Sequence, residues 1–276
     1  MKKLLMIADD LATAERQLEK VKVFAPEQVH TVAIHQGESP GNLETDLKDL
    51  GQQVIPDADN SSEVIVASQS KDLLHRLGEL VEQKAPELIV IASEDLSDAI
   101  DITLYKEVLR KTQAALLICT DRPWKEHPHI LASIDLGDED EVRMDLNKTV
   151  LFTARTLKET LEGSLSAVSV ISMKAITKEL DLIEPAEVVI KHGPERLEKL
   201  KEFLSFHGAE DCKSKISAGS PSQQIADAAR QMKADLTVMG NVGRKGLQGF
   251  VLGNTAEKTL TNVRGDLLVV RTVESK

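Results

Sequence analysis

Apolar residues in this chain gather into short unbroken runs, and between the runs they recur at every third or fourth position. Leu4-Leu5-Met6-Ile7-Ala8, Leu88-Ile89-Val90-Ile91-Ala92 and Leu267-Leu268-Val269-Val270 are runs of the first kind. Leu73-Leu74-His75-Arg76-Leu77-Gly78-Glu79-Leu80-Val81 is a stretch of the second. A strand that is apolar all along must be covered on both faces, and short covered strands alternating with helices build a parallel sheet. The pattern predicts strands near residues 3–8, 29–34, 52–55, 87–92 and 115–119, and again near 130–135, 166–171, 213–217, 235–239 and 266–271. One helix start has its own chemistry. Ser220-Pro221-Ser222-Gln223 offers an N-cap serine, a proline at the first helical position and a glutamine three residues after the cap.

These strands form two copies of one pattern. Lys3-Leu4-Leu5-Met6-Ile7-Ala8-Asp9 matches His129-Ile130-Leu131-Ala132-Ser133-Ile134-Asp135, each an apolar strand closed by an aspartate. Pro86–Ala92 matches Lys233–Gly240, and Ala114–Cys119 matches Gly265–Val270. Asp121–Pro128 holds two prolines and several charges, which interrupt any regular element and mark a linker. The expected fold class is therefore α/β, with two tandem open parallel five-stranded sheets and helices on both faces. Residues 1–124 form one domain and residues 125–276 the other.

Composition narrows the function. At 276 residues the chain can build two cores, and with 3% aromatics those cores must be Leu, Ile, Val and Ala. A net charge of −11 argues against nucleic acid or an anionic membrane as the main partner. No apolar run nears the ~20 residues of a membrane span. Asp9 and Asp10 end the first run before it could serve as a signal segment. A cytoplasmic protein is expected, with Cys119 a buried small hydrophobe and no disulfide to Cys212.

The most informative stretch runs from Gly240 to Thr255: Gly240-Asn241-Val242-Gly243-Arg244-Lys245-Gly246-Leu247-Gln248-Gly249-Phe250-Val251-Leu252-Gly253-Asn254-Thr255. It follows the run Leu236–Met239 and precedes a helical opening, Ala256–Leu260. Glycines between strand and helix bring bare N–H groups and a positive helix end together, and anions bind there. The spacing G-x2-G-x9-G is neither the dinucleotide fingerprint nor the P-loop. It resembles the nucleotide-binding signature of the universal stress protein family, whose fold belongs to the Rossmann-like, adenine-nucleotide α-hydrolase-like group.

The resemblance implies a stress-response regulator that binds ATP or a related adenine nucleotide through its second domain. It implies that Asp135 hydrogen-bonds the adenosine portion and that Val170 lines the adenine pocket. Met239 and Gly240 would close the fourth strand. Gly240, Gly243 and Gly253 would shape a phosphate cradle, with Arg244 adding positive charge. Ser or Thr usually follows the last glycine in ATP-binding members; here Asn254 stands there and Thr255 comes next. Family members pair through their last strands, an arrangement that two halves on one chain could make intramolecular, here through Leu116–Cys119 and Leu267–Val270; a homodimer and an unidentified protein partner are further expectations.

Other readings stand beside this one. The corresponding loop of the first half, Ala92–Thr103, has no glycine and carries Glu94, Asp95, Asp98 and Asp101, which repel phosphate. That half reads as a degenerate copy. Asp138-Glu139-Asp140-Glu141 could gather Mg²⁺ near the phosphates, or could open a helix, where acidic side chains meet the positive dipole end. His127, His129, His192 and His207 lack zinc-site spacing. Ser169 and Ser172 are strand residues with no nucleophile elbow around them. No catalytic set emerges, so hydrolysis of ATP would be slow at most. An interaction module that needs no nucleotide is the main alternative, and an enzyme of the same fold group is the third.

Overall fold

The computed structural model describes residues 1–35, 41–66, 70–92, 112–137, 140–173, 184–241 and 265–272. Among these the chain divides into two compact units, the first running through Pro123 and the second beginning at Trp124.

The first unit contains strands β1 (Lys3–Ala8), β2 (Gln28–His35), β3 (Asp59–Val66), β4 (Leu88–Ala92) and β5 (Ala115–Cys119), with helices α1 (Leu11–Val21), α2 (Leu43–Val54) and α3 (Ser70–Lys84). Its strands are parallel and ordered β3-β2-β1-β4-β5. The second unit contains β6 (His129–Ser133), β7 (Ser164–Ser172), β8 (Lys213–Gly219), β9 (Leu236–Gly240) and β10 (Asp266–Val270), with helices α4 (Glu141–Thr160), α5 (Pro185–Phe206) and α6 (Pro221–Met232). These strands are also parallel, in the equivalent order β8-β7-β6-β9-β10. The chain is thus α/β, with parallel strands flanked by helices.

The central strands are the apolar runs. Leu5, Met6, Ile7 and Ala8 of β1 are fully buried, as are Ile130, Leu131 and Ala132 of β6. Helices cover them with one stripe each. α4 buries Leu146, Asn147, Val150, Leu151, Ala154 and Leu157, a helical period along one side, against β6 and β9. Asparagine is the exception in that stripe.

Two local expectations fail, for physical reasons. Residues 52–55 are not a strand: Gln52, Gln53 and Val54 are the last turn of α2, which closes when the Ile55 N–H donates to Gly51 at 2.9 Å. The strand begins at Asp59. It is an edge strand whose first five residues, Asp59-Asn60-Ser61-Ser62-Glu63, are polar, so it offers no apolar run. The helix start at Pro221 is present, but Ser220 does not cap it with its side chain. Its Oγ lies 3.1 Å from the Ser222 hydroxyl instead.

The segment between the units is anchored rather than loose at its second half. The Trp124 indole donates to buried Asp266 at 2.8 Å, and the Lys125 ammonium lies 2.9 Å from Asp235. Among the described residues no helix is long and apolar enough to cross a membrane.

Candidate functional site

In the second unit the strand order reverses between β6 and β9. From β6 the chain moves to β7 and β8 on one side, then returns to β9 on the other. Helices leave two such strands in opposite directions, so their carboxyl ends open a crevice, the place where sheets of this kind bind ligands. Register defines what stands there. Ser133 pairs with both Val168 and Met239, and Gly240 pairs with Val270. Past the end of β6, the Ile134 N–H still donates to Val168 at 2.9 Å. Asp135 therefore emerges two residues beyond Ser133, and Val170 two residues beyond Val168, at the same level of the sheet. Asp135, Val170, Met239 and Gly240 all lie at this one edge. Val170 is half-buried, while Met239 is buried.

Asp135 is the most tightly held of them. The Asn147 side chain, only 3% exposed, accepts the Asp135 N–H at 2.9 Å and donates to the Asp135 carbonyl at 2.7 Å. The Asp135 carboxylate accepts from the Gly137 N–H through Oδ1 at 2.9 Å. Its other oxygen lies 3.8 Å from the Arg143 guanidinium, and the side chain is 58% exposed. A Cβ on Gly137 would stand 3.0 Å from Oδ1, a tight contact that the carboxylate would have to give way to.

Arg143 belongs to the first turn of α4. The Asp140 carboxylate caps that helix by accepting the Arg143 N–H at 2.9 Å, and its other oxygen lies 3.2 Å from the Arg143 Nε. Both oxygens of Asp140 are thereby committed within the protein, as an N-cap requires. Among the described residues no group of three or more His, Cys, Asp or Glu is placed to hold a metal ion.

Gly240 has a packing role of its own. A Cβ there would lie 2.5 Å from Cγ of Leu146, a buried residue of α4. Val242, Gly243, Arg244, Gly253, Asn254 and Thr255 lie outside the described residues, as do Ala256–Leu260, Asp138, Glu139 and the first-half residues Glu94, Asp95, Asp98 and Asp101. Asn147 and Arg143 were not singled out by the sequence. The signal for Asn147 was present: it is a polar residue inside an apolar helical stripe.

The scattered residues remain apart. The His129 ring is bonded to the Ser164 hydroxyl at 2.7 Å, and burial holds its pKa below the usual range. The His207 ring packs between Phe203 and Phe206. Cys119 and Cys212 are both thiols, and burial pushes the Cys212 thiol up to about 12.

A duplicated parallel α/β architecture with a crevice at a strand-order reversal defines the class. Residues 143–271 match the universal stress protein family. The chain is 26% identical over 228 residues to the universal stress protein E homolog of Haemophilus influenzae, covering 80% of this chain and 73% of that protein. It is 28% identical over 167 residues to universal stress protein E of Escherichia coli, covering 59% of this chain and 53% of that one, about half its length. The fold recurs in a Pseudomonas aeruginosa protein described as functionally unknown, with a TM-score of 0.69 at 21% identity over 98% of this chain and 92% of that one. It recurs in a universal stress protein of Archaeoglobus fulgidus, with a TM-score of 0.57 at 15% identity over 99% and 98% of the two chains. The second unit thus carries a universal stress protein domain, and the chain as a whole is similar to universal stress proteins E.

Proposed function

We infer that this protein is a cytoplasmic regulator of the stress response that binds an adenine nucleotide, ATP foremost, at the carboxyl ends of β6 and β9. The observation that carries this reading is the placement of Asp135 beside Met239 and Gly240 where the strand order reverses. An exposed carboxylate with a fixed backbone is an acceptor waiting for a donor, such as a ribose hydroxyl or an exocyclic amine. Half-buried Val170 supplies an apolar wall for a base at the same level. Gly243 and Gly253 would let main-chain N–H groups approach phosphate, with Arg244, Asn254 and Thr255 supplying charge and donors. Each charge-assisted hydrogen bond contributes about 1.5–3 kcal/mol, so three or four support micromolar affinity after ordering costs. Any Mg²⁺ would arrive with the nucleotide, since Asp140 is already committed to Arg143.

A second reading, an interaction module that needs no nucleotide, is favoured by specific observations. Phe152, Ile190 and Phe206 are 71%, 77% and 85% exposed on α4 and α5, and Gly240 has a packing reason that needs no ligand. The test is to purify the protein without added nucleotide, denature it and identify any released small molecule, with Gly243→Val as control. ATP or ADP in stoichiometric amount, lost in the control, supports the first reading. Protein that is empty and does not respond to ATP in calorimetry leaves the second.

A further inference from the structure

The geometry points to Asn147 as a positioning residue of the proposed nucleotide site, acting through Asp135 without touching the ligand. The inference rests on the nucleotide reading above and goes beyond it by assigning how the recognition carboxylate is aimed.

An aspartate two residues past a strand end has no ladder partner to orient it. Here a single buried carboxamide takes both main-chain groups of Asp135, its N–H at 2.9 Å and its carbonyl at 2.7 Å. An amide is the group for this, because it carries one acceptor and one donor in a plane at the spacing of a peptide unit. Two consequences follow for a ligand. The N–H and C=O of Asp135 are occupied, so recognition at this residue falls to its carboxylate. Oδ1 already accepts from Gly137, and Oδ2 faces Arg143 at 3.8 Å, beyond hydrogen-bond reach. Oδ2 is therefore the oxygen that receives the ligand's donor.

The first unit provides the contrast. The buried amide of its first helix is Gln17, which donates to the carbonyl of Ile7 at 2.9 Å, two residues before Asp9. Its Oε1 has no hydrogen-bond partner among the described residues. The duplicated aspartate is thus not held by the helix amide as its counterpart is.

A double-mutant cycle tests this, with ATP affinity measured by calorimetry on the full chain. Asn147→Ala is expected to weaken ATP about tenfold in the wild-type background, and less than about twofold when Asp135→Ala is already present. That non-additivity is what action through Asp135 means; a general loosening of the unit would weaken binding in both backgrounds. Asn147→Asp keeps the acceptor for the Asp135 N–H but sets a second oxygen against the Asp135 carbonyl, so it should weaken ATP in the wild-type background and have little effect when Asp135→Ala is present. It serves the same cycle if the alanine variant does not fold. An equal loss in both backgrounds, or no loss in either, overturns the assignment while leaving the nucleotide site standing. Wild-type protein without affinity for ATP overturns the nucleotide reading first and the assignment with it.

Discussion

Replacing Gly240 with alanine separates two reasons a glycine can end β9: room for a ligand, or room for a neighbouring helix. The added Cβ would lie 2.5 Å from Leu146 Cγ and 2.6 Å from Cδ2, both well inside the ~3.5–4.0 Å of an ordinary carbon contact. Leu146 cannot swing into solvent, since it is 5% exposed within the buried stripe of α4. The backbone is not the obstacle, because the left-handed glycines of the described residues are Gly208 and Gly219, not Gly240. Overpacking of this kind costs about 1–3 kcal/mol, offset by about 0.4–1 kcal/mol from a stiffer unfolded chain. A net loss of about 1–2 kcal/mol lowers the Tm of a unit this size by about 3–8 °C.

Calorimetric unfolding without nucleotide is the assay, run on wild type, Gly240→Ala, Leu146→Ala and the double variant. Leu146→Ala alone should cost about 2–5 kcal/mol as a cavity. In that background Gly240→Ala should cost less than about 0.5 kcal/mol, because the atoms it would strike are gone. An unchanged Tm in the single Gly240→Ala variant, or the same cost with and without the Leu146 side chain, refutes the packing account.

Two titrating groups give further expectations. Burial lowers the pKa of His30 to about 4, with the positive charges of Lys84 and Arg76 acting the same way. Ser61 holds its Nδ1 at 2.8 Å, and Glu63 stands 3.8 Å from Nε2. The folded pKa lies below the unfolded one, so stability is full above about pH 6.5 and falls as pH drops towards 4, by up to about 1.4 kcal/mol per unit. Urea unfolding between pH 4 and 7 should show that slope reduced in His30→Gln, and superimposable profiles would refute it. Burial likewise holds the Cys212 thiol up at about 12. At pH 8 it should alkylate far more slowly than in urea-unfolded chain, where the pKa returns to about 8.5; equal rates would show that the site opens readily.

What could be read in advance was whatever is written in unbroken apolar runs. β1, β4, β5, β6, β9 and β10 are buried along nearly their whole length, and their sequences say so. β3 was missed because an edge strand can be polar, and Asp59–Glu63 shows no alternation strong enough to displace the shorter Val54-Ile55 signal. Asp135 was legible from its position at the end of a repeated strand, and the α/β repeat from three matched segments. Asn147 is visible in the sequence as a polar residue inside an apolar stripe, but its role depends on a contact across 12 residues, which no periodicity encodes. Gly240 was legible as a glycine that matters, while its contact with Leu146 depends on how closely α4 approaches β9.

The two halves show how a duplicated residue can diverge without being replaced. Asp9 and Asp135 occupy the same place after matched strands, yet the turns that follow differ in length. β1 and α1 are joined by Asp9 and Asp10 alone, whereas β6 and α4 are separated by residues 134–140. In the short turn the next residue must cap the helix at once: Asp10 accepts the Thr13 N–H at 2.7 Å, and that bond holds its carboxyl below the usual range. In the long turn capping passes to Asp140, five residues on from Asp135, and Asn147 is free to hold the strand end. Connection length, more than residue identity, thus divides the work of helix capping from that of presenting a carboxylate. In the second unit five positions separate the strand-end aspartate from the capping one, where in the first the two are adjacent, and the second is the unit in which the glycine-spaced segment follows β9.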